Sequence, residues 1–265
     1  MAARAIWKGL LILGAEKIPV KLYSAVEDRT VRFNVLEKSS RARIKQQMVN
    51  PETGEEVPWD KMQRAYEAEP GTYVLLSSEE LEQSQPKESR DIDVSKFVPA
   101  RQIHQQWYDR PYYLGPDDDS PTAYFALADE LERQDREGIA HWVMRKKEYV
   151  GALRSEGGYL MLITLNHVEE VLTAEDLPKP TGRAPDAKEF KMAEQLVAAM
   201  EGEFHAEDYH DEYRERLMKL IEAKSHGHKP RLKVVARKKE PKSLLASLAA
   251  SIKRAKHQHE QKSAA

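Results

Sequence analysis

From residue 4 to residue 165 the chain is a succession of short runs in which apolar and polar residues alternate, and this period limits its folding choices more than any other feature. In "EKIPVKLYSA", Ile18, Val20 and Leu22 alternate with Pro19, Lys21 and Tyr23. Successive side chains of a strand point to opposite faces, so such a run keeps one face for a core. Turn signals at "NPETGEE", "AEPG" and "LGPDDDSP" separate the runs. Three further strands are expected at "IAHWVMRK", "EYVGALR" and "GYLMLITL", closely connected, with Gly157-Gly158 between the last two. The expected class is mainly β with peripheral helices. One helix interrupts the strands at "PTAYFALADELERQDREG", with Ser120 as cap, Pro121 in the first turn, Phe125, Leu127 and Leu131 on the apolar side and Gly138 as the stop.

The opening "MAARAIWKGLLILGAEKIPVKLYSA" sets Arg4 and Lys8 before a short apolar run, as a secretory leader does. Glu16 and Lys17 end that run, and strand alternation continues directly from it. The segment is therefore expected to be the first part of the fold rather than a leader. The chain has no cysteine, which removes disulfides, thiolate metal sites and a cysteine nucleophile. With 32% charged residues, a mean hydropathy of -0.71 and no apolar run near ~18 residues, it is expected to be well solvated and to have no membrane partner.

After the strands comes a Pro-rich linker, "LPKPTGRAPD", then two expected helices at "AKEFKMAEQLVAAMEGEF" and "EDYHDEYRERLMKLIEAKS". The expected organisation is a β core over residues 1–177, a helical region over 178–225 and a basic tail over 226–265. From Lys229 onward eleven Lys and Arg face two Glu, a net +9, while residues 1–228 carry -11. In the tail, Leu244, Leu245, Leu248 and Ile252 fall on one side of a possible short helix, and Arg237, Lys238 and Lys239 form a candidate phosphate-binding run.

Charge is segregated within the body too. Residues 51–140 hold 21 acids and 9 cations, whereas Lys38 to Asn50 hold four cations and no acid. If "KSSRARIKQQMVN" is a strand, Arg41, Arg43 and Lys45 share one face at about 6.8 Å spacing, comparable to successive phosphates of a nucleic-acid strand. Lys38 precedes them, Lys61 and Arg64 follow, and Pro51 and Gly54 mark the hairpin turn between. Point charges without organised Asn or Gln suit backbone contact rather than base reading. An edge strand that uses Lys and Arg to block aggregation is the alternative. Arg145 and Lys147, with Lys146 between them, form a lesser basic patch.

Three groups could suit an enzyme or a metal, and each has a simpler reading. Asp117 to Asp119 lie in a solvated turn, His226 and His228 lack further ligands nearby, and His205 and His210 are five apart rather than four on their expected helix. With no Gly-rich phosphate loop or nucleophile elbow in sight, neither catalysis nor a cofactor is expected.

Several longer stretches resemble the bacterial Ku family: "IWKGLLILGAEKIPVKLYSAVEDRTVRFNVLE", "GEEVPWDKMQRAYE", "RPYYLGPDD", "ALADELERQDREGIAHWVMRKKEYVGALRSEGGYLMLITLNHVEEV", "MAEQLVAAMEGEF" and "YHDEYRERLMKLIEAK". Together they cover roughly residues 4–225. The resemblance implies a Ku-type β-barrel core with an extended bridge, roughly residues 29–75, and a helical C-terminal region. It also implies a homodimeric ring on double-stranded DNA ends, working with an ATP-dependent DNA ligase in non-homologous end joining, in the cytoplasm at the bacterial nucleoid. Many bacterial members carry cysteines in the bridge; this bridge has none, so no metal is expected there. An open nucleic-acid-binding or protein-interaction module that needs no free end is the competing reading of the same basic patches.

Overall fold

The computed structural model describes residues 3–117 and 121–227. The chain divides into two compact units, Met1–Asp176 and Leu177–Ala265.

The first unit is built on a closed barrel of seven strands. Strands β1 (Trp7–Leu13) and β2 (Glu16–Ser24) form a hairpin around Gly14, whose φ of 63° suits a residue without Cβ. The chain then leaves the barrel for residues 25–90. Within this excursion, strands β3 (Arg64–Glu69) and β4 (Thr72–Leu76) pair, and helix α1 (Ser78–Gln83) follows. The barrel resumes with β5 (Asp91–Pro99) and β6 (Tyr108–Pro116) and, after helix α2 (Thr122–Gln134), with β7 (Arg136–Met144), β8 (Lys147–Glu156) and β9 (Tyr159–Leu165). The spatial order is β1-β2-β6-β9-β8-β7-β5, and the parallel pairing of β5 with β1 closes the barrel.

The alternation read from the sequence becomes the barrel's interior: Leu11, Val20, Leu22, Ile92, Leu114, Leu153, Leu160 and Leu162 are fully buried. Helix α2 lies against β7, β8 and β9. Its buried face is Tyr124, Ala128 and Leu131, whereas Phe125, expected inside, is 43% exposed. The Tyr124 hydroxyl donates to the Leu114 carbonyl and accepts from the Leu160 amide at 2.9 Å, so the larger aromatic sits where its polar end is satisfied. The helix also ends earlier than expected. Asp135 takes the left-handed conformation (φ 50°), and Gly138 lies inside β7. Ser120, the expected cap, lies outside the described residues.

In the second unit, helix α3 (Ala187–Ala199) starts with a reciprocal capping box between Asp186 and Glu189. Helix α4 (Glu212–Ser225) starts at Asp211, whose carboxylate accepts from the Arg214 amide. Both are shorter than expected, and His205 and His210 lie in the connection between them rather than on a helix. No helix among the described residues is long and apolar enough to cross a membrane.

Candidate nucleic-acid interface

The excursion over residues 25–90 is an arm, and almost all of its residues are exposed. Its first part is not the continuous ribbon expected from "KSSRARIKQQMVN". It consists of two tight turns, each closed by an isolated pair, Leu36 with Arg43 and Val49 with Glu56. In the first turn the Glu37 amide donates to the Ala42 carbonyl at 2.9 Å and the Arg41 amide to the Glu37 carbonyl at 2.8 Å. Arg41 is left-handed there, with φ 59°.

The row of three cations on one strand face is therefore corrected. Lys38 and Arg41 belong to the turn, Arg43 stands on the returning limb with its guanidinium donating to Asn34 Oδ1 at 2.9 Å, and Lys45 follows in a stretch without regular structure. The turn wins because nothing in this stretch is buried enough to enforce a two-residue period. The second turn follows the sequence reading more closely: Gly54 has φ 72° and its amide donates to Asn50. Lys61 ends a single helical turn, Trp59–Lys61, and Arg64 opens β3, so these two cations border a cleft shared with Trp59, Leu76 and Glu82.

The arm's cations fall into two electrostatic classes. Near the barrel, Arg29 pairs with Glu27 and Arg32 with Asp28, each at 3.0 Å. Hydrogen bonds from Thr30, then from Arg32, hold the Asp28 carboxyl down at about 2. Lys38, Arg41, Arg43, Lys45, Lys61 and Arg64 are exposed and make no ion pair with any described residue. A polyanion could meet them without displacing an internal carboxylate.

A second group of cations lies at one end of the barrel. The register sets the start of β1 beside the end of β2 (Trp7 with Leu22), the start of β5 beside β1 (Leu10 with Asp91), and the end of β7 beside β5 (Ile92 with Trp142). The arm leaves and returns at this same end. Here a cleft of about 660 Å³ is lined by Trp7, Lys8, Glu88, Arg90, Arg145 and Lys146, among others. Gly9 makes its wall possible, since a Cβ there would fall 2.2 Å from the Trp7 ring and 2.5 Å from the Arg90 carbonyl.

The sequence reading named Arg145 here and missed Lys8 and Arg90. No local pattern links residues 8, 90 and 145; strand pairing alone brings them together. Lys147, the other cation named, instead sets its ammonium 5.3 Å from the centre of the Tyr149 ring. Asp117 serves the fold, bridging Lys8 at 2.9 Å and Lys21 at 2.5 Å. Hydrogen bonds from Lys21 and then Lys8 hold its carboxyl below the ordinary range. Among the described residues no group of three or more His, Cys, Asp or Glu could hold a metal ion. Arg237, Lys238 and Lys239 lie outside the described residues, as does His228.

A closed barrel that sends out a long exposed arm rich in cations without ion pairs to any described residue is an arrangement suited to a polyanion. Residues 12–192 match the Ku70/Ku80 beta-barrel domain family. The non-homologous end joining protein Ku of Coxiella burnetii is 37% identical over 228 residues, 84% of this chain and 83% of its own. That of Anaeromyxobacter sp. is 39% identical, over 85% of this chain and 76% of its own. The protein of the same name from Archaeoglobus fulgidus is 33% identical over 254 residues, covering 96% of this chain and all of that protein. The chain belongs to the Ku family.

Proposed function

We propose that two copies of this chain form a closed ring around the end of a DNA duplex and hold it through its phosphate backbone. In this reading the ring is a non-catalytic platform that recruits an ATP-dependent DNA ligase for non-homologous end joining. The observation that carries it is the dual character of the arm. Beside its ion-pair-free cations it exposes Phe33 (66%), Val35 (70%), Trp59 (80%) and Tyr66 (68%), apolar surface that a single chain leaves uncovered. Such a surface calls for a protein neighbour, and a second copy of the arm supplies one. The relatives' shared name, non-homologous end joining protein Ku, supports the pathway. In the second unit, Phe190, Val197, Met200 and Tyr213 are exposed and offer apolar surface to a protein partner such as the ligase.

Topology provides the test. A closed ring cannot pass over a covalently closed circle, whereas an open groove binds any duplex segment from the side. Linear fragments of unrelated sequence should compete equally for the protein at physiological salt, and closed circles of equal mass should compete poorly. Blocking both ends of a linear fragment after loading should slow dissociation sharply. Equal competition by circles, with dissociation unchanged by blocked ends, would replace the ring with an open, end-independent module.

A further inference from the structure

We propose that the cleft at the arm's root, lined by Lys8, Arg90, Arg145 and Lys146, is a phosphate-binding site that grips DNA in addition to the cations farther out on the arm. It rests on the reading of the chain as a DNA-binding protein. Two observations carry it, the first being charge. Four cations and a single acid, Glu88, line one cleft, and Arg90, Arg145 and Lys146 make no ion pair with any described residue. Lys8 shares Asp117 with Lys21, so the carboxylate it meets is already partly neutralised.

The second observation is the choice of turn residues. Arg145 (φ 53°) and Lys146 (φ 64°) form the two-residue turn between β7 and β8, flanked by the Met144–Lys147 pair. The neighbouring turn between β8 and β9 has the same positive φ at both positions, 59° and 78°, and fills them with Gly157 and Gly158. Positive φ at both centres is the signature of a type I′ turn, for which Asn-Gly and Gly-Gly are preferred. One sheet thus solves the same geometric problem twice, once with glycines and once with two long cations that the backbone disfavours. Backbone strain at a site that exposes chemistry points to use of that chemistry. Long side chains on a rigid turn can reach an anion held in the cleft.

The ligand is a phosphate group of DNA, either the terminal 5′-phosphate of an end or an internal phosphodiester. The cleft's place where the arm joins the barrel favours a contact made together with the arm's own.

The test uses the full chain carrying Arg145→Asn with Lys146→Gly, and separately Arg90→Gln, in anisotropy titrations on one short duplex with either a 5′-phosphate or a 5′-hydroxyl. The turn pair should raise the melting temperature, because Asn-Gly suits the turn, while weakening DNA binding about tenfold and reducing the salt slope by about 1 to 2. A loss on both duplexes assigns an internal phosphodiester; a loss confined to the phosphorylated one assigns the terminal phosphate. Unchanged affinity and salt slope in both folded variants overturns the site, including the case in which they lose an acidic protein partner instead. Failure of the unaltered chain to bind either duplex would overturn the DNA-binding reading itself, and this site with it.

Discussion

Tyr108 donates its hydroxyl to the carboxylate of Glu137 across 2.6 Å, and Glu137 is 1% exposed. The Arg154 guanidinium approaches the other carboxylate oxygen only to 3.6 Å, and that oxygen has no hydrogen-bond partner among the described residues. Among the described residues Tyr108 therefore supplies the one short hydrogen bond to the buried carboxylate. Burial first, and then Glu137, push the phenol well above its ordinary value. Tyr108→Phe is expected to cost about 1.5–3 kcal/mol in urea unfolding at neutral pH, the range for a hydrogen bond to a charged group. The pH dependence has a definite sign. Because the folded value is raised, the contribution is complete below about pH 10, the unfolded value, and is lost as pH rises toward the folded one. Stability curves taken into alkali should therefore fall more steeply for the unaltered protein than for Tyr108→Phe.

Gly151 is needed for space, not for backbone freedom. A Cβ there would lie 2.7 Å from the Ile163 carbonyl and 2.7 Å from the Trp142 ring, and that ring stacks on Tyr149 at 5.3 Å. Gly151→Ala should destabilise the barrel by ~1–3 kcal/mol. A melting temperature equal to that of the unaltered protein would count against the tight Trp142 packing.

On the arm, Arg41→Glu with Arg43→Glu removes two cations and adds two anions without touching a buried residue. DNA affinity should drop at least ~10-fold at physiological salt and the salt slope should become shallower, with the circular dichroism spectrum and the mass in solution unchanged. Full affinity in a folded double variant would place the DNA elsewhere.

Acid should open the Lys8–Asp117–Lys21 bridge. With the Asp117 carboxyl depressed in the fold, its contribution is present above the ordinary carboxylate value of 3.8 and is lost as pH falls through the folded one. Asp117→Asn should remove that part of the acid sensitivity and leave stability above pH 5 only slightly lower. Paired acid titrations followed by fluorescence test this; identical acid limbs would deny the bridge a role.

Burial decides what could be read from the residues alone. Ile18, Val20 and Leu22 alternate because the barrel interior admits every second side chain, and their strand stands where the period placed it. The same ruler misled at Arg41, Arg43 and Lys45, where both faces meet solvent and a turn closed by Glu37 and Ala42 costs nothing in lost packing. In α2 Leu131 is buried as expected, but Tyr124 rather than its neighbour Phe125 faces the core: both are aromatic, and the Leu114 carbonyl that favours tyrosine is a tertiary fact. Helix α1 was passed over although Ser77 and Glu80 form a capping box visible in "SSEE", because six residues with Leu81 as their lone large apolar side chain give no helical stripe. Lys8 and Arg90 could not be linked locally to Arg145 and Lys146, since they meet through the β1–β5–β7 pairing.

The arm begins after Ser24 and ends before Asp91, on strands that flank β1 at the same end of the barrel. It is thus an insertion whose two ends the barrel holds close together, and the chain entropy of closing it grows only logarithmically with its length. Doubling the number of inserted residues would cost about 0.6 kcal/mol. In folding, the seam between β5 and β1 is a long-range contact that must wait for the whole insertion, so it is expected to close late. In evolution the same arithmetic leaves the reach of the arm adjustable: its length can drift while the seven strands that anchor it keep their register.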